Sequence, residues 1–377
     1  MKVSKKDARP RMPIVGILGD GQLAMMMVQA YQGLGGKVFV MGSSDNGPAS
    51  HVADKVFVGD LNNQQSIGRF FEAVDVVTLE NEFNDGRALS DLAQKYSTPI
   101  FPDPGKFTLI EDKLSEKQFF QSLGIDLAEY IEVKNETDIP DVMGYLKLAK
   151  GGYDGIGTYR VENHQEAILM YDKLKPLGTV LFEHGIDFKK ELSLIAVSDA
   201  NQIVFYPMVE THQEQGTCRL VTYPCALDPK IEEKACEQVV RIMNKLDTKG
   251  LFAFEFFLTK EDKLILNESA PRPHNSGHIT LDLANCSQFE NHMRAIGGLD
   301  LVEPQLIKES MTMVNLLATK DGEFNSEKLL ENIKDPESNV TLYRKAQSRV
   351  KRKMGHVNLW GLNQEQRAKR IITDVDI

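Results

Sequence analysis

Two carboxylates, an amide and an Arg/His/Asn cluster fall within residues 251–280, LFAFEFFLTKEDKLILNESAPRPHNSGHIT. Its first half alternates: Phe252, Phe254, Phe256 and Leu258 share one face of a strand, while Ala253, Glu255 and Phe257 share the other. With Glu261 and Asp262 as a two-residue hairpin loop, Glu255 sits directly across from Glu268 on the same face. Opposed like charges on a largely apolar pair of strands are destabilising on their own. A divalent cation between them relieves this, and oxygen ligands of this kind suit magnesium; a glutamate turned to solvent or paired with a lysine relieves it too. Beyond Glu268, Pro271 and Pro273 forbid regular helix or central strand and hold Arg272, His274 and Asn275 on a stiff loop.

Upstream residues suggest phosphate chemistry. Lys113 and Lys117 lie four apart in TLIEDKLSEKQFFQSLGI, which reads as one helix ending near Gly124; an ordinary solvated face explains that spacing equally. Lys147 sits on a strand-like run before KGGYDGIGT, whose backbone amides can wrap phosphate oxygens while the lysine neutralises them. A flexible hairpin tip is the alternative. The chain has no G-K-[ST] ending of a Walker loop, so the glycine loop belongs to another nucleotide-binding design if it binds one. VLFEHGI then breaks at Glu183, and Glu191 follows in KKELSLIAV. Together they form a hinge edge whose backbone can meet a base, with Glu191 placed for ribose hydroxyls.

The elements that must position these groups begin with a βα unit, residues 14–18 leading through GDGQLA into a helix that closes on glycine. Strand-like runs at 37–41 and 75–79 follow, the latter ending at Glu80 and Glu82, and the alternation points to a parallel sheet. Gly19, Gly21 and Ala24 form a G-x-G-x-x-A pattern with Asp45 near the place of a ribose-binding acid. The pattern leaves a dinucleotide site open, although a tight turn under a helix needs the same glycines. Pro102, Pro104 and Gly105 mark the first domain boundary. The 377 residues suggest two or three domains, and 42% hydrophobic residues suffice to build them. No apolar run has membrane-spanning length, and MKVSKKDARPRMP reads as a disordered basic extension without the apolar core of a secretory signal. Cys218, Cys225, Cys236 and Cys286 show no metal or disulfide pattern, which suits free thiols in a reducing cytoplasm. A formal net charge of −10 argues against a general nucleic-acid binder.

GGYDGIG, ELSLIAV, FYPMVE and above all NESAPRPHNSGHIT with SQFENHMRAIGGLDL resemble the N5-carboxyaminoimidazole ribonucleotide synthetase family of purine biosynthesis, within the ATP-grasp superfamily, from about residue 14 to 361. The resemblance implies an α/β (α+β) chain. It would comprise a Rossmann-like pre-ATP-grasp domain at 1–106, an ATP-grasp domain at 107–305 with its smaller closing lobe at about 141–205, and a small C-terminal β-rich domain at 306–377. It implies a cytoplasmic homodimer that joins 5-aminoimidazole ribonucleotide, bicarbonate and ATP with Mg2+ as cofactor. By the same resemblance, Lys113, Lys147 and the loop Gly152, Tyr153, Asp154, Gly155, Ile156 and Gly157 hold the ATP phosphates. Glu183, His184, Gly185, Ile186 and Glu191 hold adenosine, and Gln213 takes the place of a histidine near the nucleotide, with His212 beside it. Glu255 and Glu268, with Asn267 adjacent, hold magnesium. Arg272, His274 and Asn275 form the bicarbonate pocket, with Tyr153 and Asp154 near the aminoimidazole. In YRKAQSRVKRKMGH, Lys345, Arg352 and Lys353 grip the ribonucleotide 5′-phosphate, faced by Gln22 and Glu82.

The chain departs from the family pattern at Asp20, Ala24 and Met25 in the first turn and at Ile156, where a basic residue is usual. Three other readings stand beside this one. They are a sister ATP-grasp enzyme acting on glycinamide ribonucleotide, a nicotinamide oxidoreductase resting on GDGQLA, and a catalytically silent nucleotide-binding partner.

Overall fold

The computed structural model describes residues 11–81, 85–151, 157–214 and 216–374. The basic tail at 1–10, Glu82, and Gly152, Tyr153, Asp154, Gly155 and Ile156 of the glycine loop lie outside the described residues. Among the described residues no helix is long and apolar enough to cross a membrane.

The chain opens on four parallel strands, Ile14–Leu18, Lys37–Gly42, Lys55–Val58 and Val76–Leu79, in the spatial order third, second, first, fourth. Lys55–Val58 is the strand that pattern alone does not reveal, because four residues are too short to show an alternation. The helix Gln22–Gly33 follows the first strand, and its MMM run has a physical reason. One side lies on the parallel sheet and another meets Phe289, Met293 and Ile296 of the helix Gln288–Gly297, so Met25, Met26 and Met27 are all buried and only Gln22, Gln29 and Gln32 keep a polar side.

The segment expected as one helix is two, Pro104–Glu111 and Lys113–Ser122. Asp112 breaks it with extended backbone (φ −101°, ψ 114°), and its carboxylate accepts from the Ser115 N–H at 2.9 Å, capping the second helix. Lys113 thereby becomes a first-turn residue, its own N–H donating to Ala149 O at 2.8 Å.

A small antiparallel sheet comes next, with Tyr130–Val133, Val180–His184, Gly144–Leu148 and Thr158–Val161 side by side and the helix His164–Leu174 against it. This lobe gathers residues 130–184, so it begins earlier than 141, and Phe188–Ser198 has already joined the large sheet. The large sheet has nine strands. Leu264–Ala270, Gly250–Thr259, Phe188–Ser198, Val209–Glu214, Thr217–Tyr223, Met311–Leu317, Lys353–Trp360 and Ser338–Leu342 lie in that order, and Ile203–Phe205 pairs with Phe188–Ser198. The C-terminal strands extend this sheet through the pairing of Thr217–Tyr223 with Met311–Leu317, so both regions share one continuous platform.

His292 fastens the first unit to that platform. The Leu251 N–H donates to its Nδ1 at 3.1 Å, which leaves the proton on Nε2, 2.9 Å from Thr78 Oγ1. The ring is fully buried, and burial pushes it down to about 3. An unfolded chain therefore binds more protons than the native one below the ordinary histidine value of about 6.5, and stability from this group falls as pH falls through that window. Between pH 7 and pH 5 the loss is about 2 kcal/mol. Raised carboxyl groups elsewhere act in the opposite sense, so the informative quantity is a difference between proteins. His292→Gln should show a loss of urea stability between pH 7 and 5 that is smaller than wild type by about 2 kcal/mol; equal losses would remove His292 from this role.

Candidate active site

A cleft of about 960 Å3 opens where the parallel sheet, the small lobe and the large sheet meet. The acidic hairpin is its floor. Glu255 pairs with Glu268 as the alternation predicts, by a different route: the turn is a three-residue loop closed by the Thr259 N–H to Lys263 O bond at 2.9 Å, with Asp262 left-handed at φ 62°. That shifts the register by one residue, and a bulge at Asn267 shifts it back. Leu264 and Leu266 accordingly face the core with Phe256 and Leu258, whereas Asn267 and Glu268 both face the cleft. Without the bulge, Glu268 would follow Leu266 into the core.

On the neighbouring strand Ser193 lies across from Glu255, and Glu191 stands two residues along on the same face. Three carboxylates thus share one surface. Two ionised carboxyls about 5 Å apart in a partly screened site repel by about 3 kcal/mol. The chain resolves this by splitting them. Lys113 Nζ, 2.6 Å from Glu268 Oε2, draws Glu268 down to about 2, while burial and then the charge of Glu268 push Glu255 up to about 8. Burial likewise pushes Glu191 up to about 7, against a hydrogen bond from Gln213. Hard oxygen donors held in this frustrated pair fit a divalent cation. Among the described residues no group of three or more His, Cys, Asp or Glu side chains could hold a metal by itself. The pair would therefore share an ion with water and phosphate oxygens.

Lys147 enters from the small lobe and reaches Glu183 Oε2 at 2.7 Å; Lys117, almost wholly buried, lies 3.1 Å from Glu183 Oε1. The Glu183 carboxylate is engaged by two ammonium groups, one from each side of the cleft wall. Glu116 accepts from the Ser269 N–H and hydroxyl, both at 2.8 Å, tying the lysine helix to the acidic strand. Burial lifts its carboxyl to about 7 despite Lys113 nearby.

The proline-stiffened loop is held from behind. Gln288, fully buried, accepts from the His274 N–H at 3.0 Å and donates to its carbonyl at 2.7 Å. His274 Nδ1 meets Ser276 Oγ at 2.8 Å, and its Nε2 lies 3.4 Å from Glu255 Oε1. Asn275 and the buried Asn315 exchange two amide hydrogen bonds, 2.9 and 2.6 Å, and Asn315 also donates to Cys218 O. Arg272 lines the cleft beside them.

At the first glycine turn, the Glu80 carboxylate accepts from the N–H groups of Gly21 at 2.7 Å, Leu23 at 3.2 Å and Ala24 at 3.4 Å. This is where a dinucleotide pyrophosphate would sit, and the chain's own Glu80 carboxyl fills it, pushed up by burial and drawn back by these N–H groups. A Cβ at Gly21 would lie 2.2 Å from Glu80 Oε1, so these glycines serve the close approach of that carboxylate. The oxidoreductase reading loses its phosphate site.

The cleft brings together Gln22, Lys113, Lys147, Glu183, His184, Ile186, Glu191, Gln213, Glu255, Asn267, Glu268, Arg272, His274, Asn275 and Lys353. Gly185 and Gly157 support it from outside the lining: Gly185 packs on Met143, and Gly157, at φ 78°, gives its carbonyl to the Leu148 N–H. Lys345 and Arg352 also lie outside the lining. Lys345 donates to Lys353 O at 2.8 Å and Arg352 to Gln347 O at 2.8 Å. Sequence reasoning missed Glu80, Glu116, Gln288 and Asn315, and it saw Lys117 only as a spacing. Glu116 and Lys117 had a signal in their helical offset from Lys113; Asn315 had none, because its partner is 40 residues away.

Three family models match the chain: a ribonucleotide synthetase preATP-grasp domain at residues 12–111, an ATP-grasp domain at 118–289, and a phosphoribosylaminoimidazole carboxylase C-terminal domain at 311–370. The chain is 34% identical to the N5-carboxyaminoimidazole ribonucleotide synthase of Synechocystis, covering 93% of this chain and 92% of that one. It is also 34% identical to that of Bacillus subtilis, covering 91% and 90%. Its structure is similar to the Staphylococcus aureus enzyme complexed with ADP, with TM-score 0.88, 30% identity and coverage of 96% and 97%. An Aspergillus clavatus enzyme in complex with ADP and 5-aminoimidazole ribonucleotide matches with TM-score 0.85, 28% identity and coverage of 96% and 97%.

Glu80→Ala should strand up to three N–H donors at a buried helix start and lower the unfolding free energy by about 1–3 kcal/mol in urea titrations. Fluorescence titration of the wild-type protein with NADH should show no saturable binding. Unchanged stability in the variant, or saturable NADH binding, would mean that Glu80 does not hold this turn.

Proposed function

The chain belongs to the N5-carboxyaminoimidazole ribonucleotide synthase family, and from that membership and its cleft we propose that it carboxylates 5-aminoimidazole ribonucleotide through carboxyphosphate, with bicarbonate as the carbon source. It is an ATP-grasp ligase of purine synthesis. The observation that carries the mechanism is the Glu255–Glu268 pair in register on one sheet face, with Lys113 at 2.6 Å and the His274–Asn275 loop alongside.

Lys113 and Lys147 meet the nucleotide phosphates, the main chain of 183–186 meets adenine, and Glu191 takes ribose hydroxyls. Glu255 and Glu268 would hold magnesium, which when bound draws charge from the γ-phosphate. A bicarbonate oxygen then attacks the γ-phosphorus, the β–γ bridging bond breaks, and ADP leaves with the electron pair. Arg272, His274 and Asn275 line the side on which bicarbonate and the new mixed anhydride lie. The anhydride breaks to carbon dioxide and phosphate; the substrate amine nitrogen bonds to the carbon and gives up one proton. Protein groups act here by position and charge, not as nucleophiles. Water must be kept from this intermediate, a task the resemblance assigns to the glycine loop with Tyr153 and Asp154. Gln22 and Lys353 face the ribonucleotide, Lys345 holds the main chain beside Lys353, and Arg352 extends the same basic edge toward its phosphate; the resemblance adds Glu82 to this set.

Phosphate release from ATP, magnesium and bicarbonate should require 5-aminoimidazole ribonucleotide, and Glu268→Ala should reduce it by roughly 100-fold or more. Stimulation by glycinamide ribonucleotide in its place would keep the phosphate chemistry and overturn the acceptor.

A further inference from the structure

Glu183 is shared by two lysines that differ in one respect. Lys147 lines the cleft, whereas Lys117 is 2% exposed and does not. We propose that Lys117 is a positioning residue that sets how much positive charge Lys147 delivers to a nucleotide phosphate, by taking up part of the Glu183 carboxylate. The inference rests on the nucleotide reading above and adds to it a residue that never touches the ligand.

The geometry comes from two elements. Tyr145 pairs with Glu183 and Lys147 pairs with Leu181, so Lys147 and Glu183 are diagonal neighbours on one face of the small sheet. An ammonium and a carboxylate in that relation, 2.7 Å apart and nearly dry, would by themselves form a closed neutral pair. Such a pair has little charge left for a phosphate. Lys117 arrives from the other side, on the helix Lys113–Ser122, whose Phe120 packs into the core of the large sheet. It contacts the other carboxylate oxygen at 3.1 Å, with the Tyr130 ring 5.8 Å away and the charges of Lys147 and Glu116 acting on it as well. Two positive charges and one negative leave a net charge of one, carried at the cleft surface by Lys147. Burial pushes the Lys117 ammonium down and Glu183 draws it back, while Glu183 itself is held low against burial by Lys147 and Lys117.

A plain structural bridge between lobe and platform would use the same contacts, and the two roles separate in a double substitution. Lys117→Met leaves Lys147 neutralised by Glu183, so ADP–magnesium binding measured by calorimetry should weaken by roughly 10- to 100-fold. Adding Glu183→Gln restores the net charge of one and should recover at least tenfold of that loss. Adenosine, which has no phosphate, should bind the wild-type protein and Lys117→Met alike. A structural bridge predicts instead that the double variant is no better than Lys117→Met and that adenosine binding falls with ADP binding. Either result overturns the proposal. Should Lys117→Met not fold, Lys117→Arg takes its place: ADP affinity within about threefold of wild type supports the charge-sharing role, and a tenfold loss overturns it. Failure of the wild-type protein to bind ADP would instead overturn the nucleotide reading itself.

Discussion

The opposition of Glu255 and Glu268 is the constraint on which the rest of the site depends. Two carboxylates on one sheet face need cations, and the fold brings them from different directions: Lys113 from a helix start and, at longer range, Lys147 from the lobe above. Each of those arrivals needs its own support. Asp112 caps the helix so that Lys113 is in its first turn, and Glu116 anchors that turn to Ser269 on the acidic strand. A one-residue error in the hairpin would send Glu268 into the core beside Leu266, which is why the bulge at Asn267 matters more than any single contact.

Much of this was legible in the sequence. The alternation from Phe252 to Leu258 reported a buried face, and it fixed the side on which Glu255 emerges. The facing of Glu255 and Glu268 followed from an assumed two-residue turn, and it stands because two departures cancel. The loop holds one residue more than assumed, and the strand absorbs one at Asn267. Neither has a sequence signature of its own, since Asp262 in a left-handed turn and Asn267 in a bulge are both ordinary polar residues. The parallel sheet was legible from its βα rhythm. The break at Asp112 was not, because Lys113 and Lys117 both lie beyond it and their spacing carries no sign of it.

What the sequence hid is mostly long-range. Glu80 reads as a strand-end acid, but 59 residues separate it from the Gly21 N–H it accepts. That contact reverses the meaning of the glycine pattern: the turn is shaped around the chain's own carboxylate, and a nucleotide phosphate has no place there. In the same way Glu183 reads as a hinge acid until two lysines from separate elements are seen on its two oxygens.

The large sheet also explains why the strands beyond residue 310 matter to a site whose loop lies at 271–275. The loop bearing His274 and Asn275 has no regular structure to hold it, since prolines forbid the ladder that would. Its geometry must be imposed from outside, and the C-terminal strands impose it. Asn315 on Met311–Leu317 fixes the Asn275 amide through reciprocal bonds, and Asn358 on Lys353–Trp360 donates to His278 O and to Asp282. His278 stacks near His356, which shares a hydrogen bond with Tyr343. Asn315, Asn358, His278, His356 and Tyr343 are buried, so breaking the bonds described would leave polar groups unpaired away from water. A loop stiffened by proline and clamped by buried amides reorganises little as charge develops beside it, which is the property that electrostatic catalysis requires.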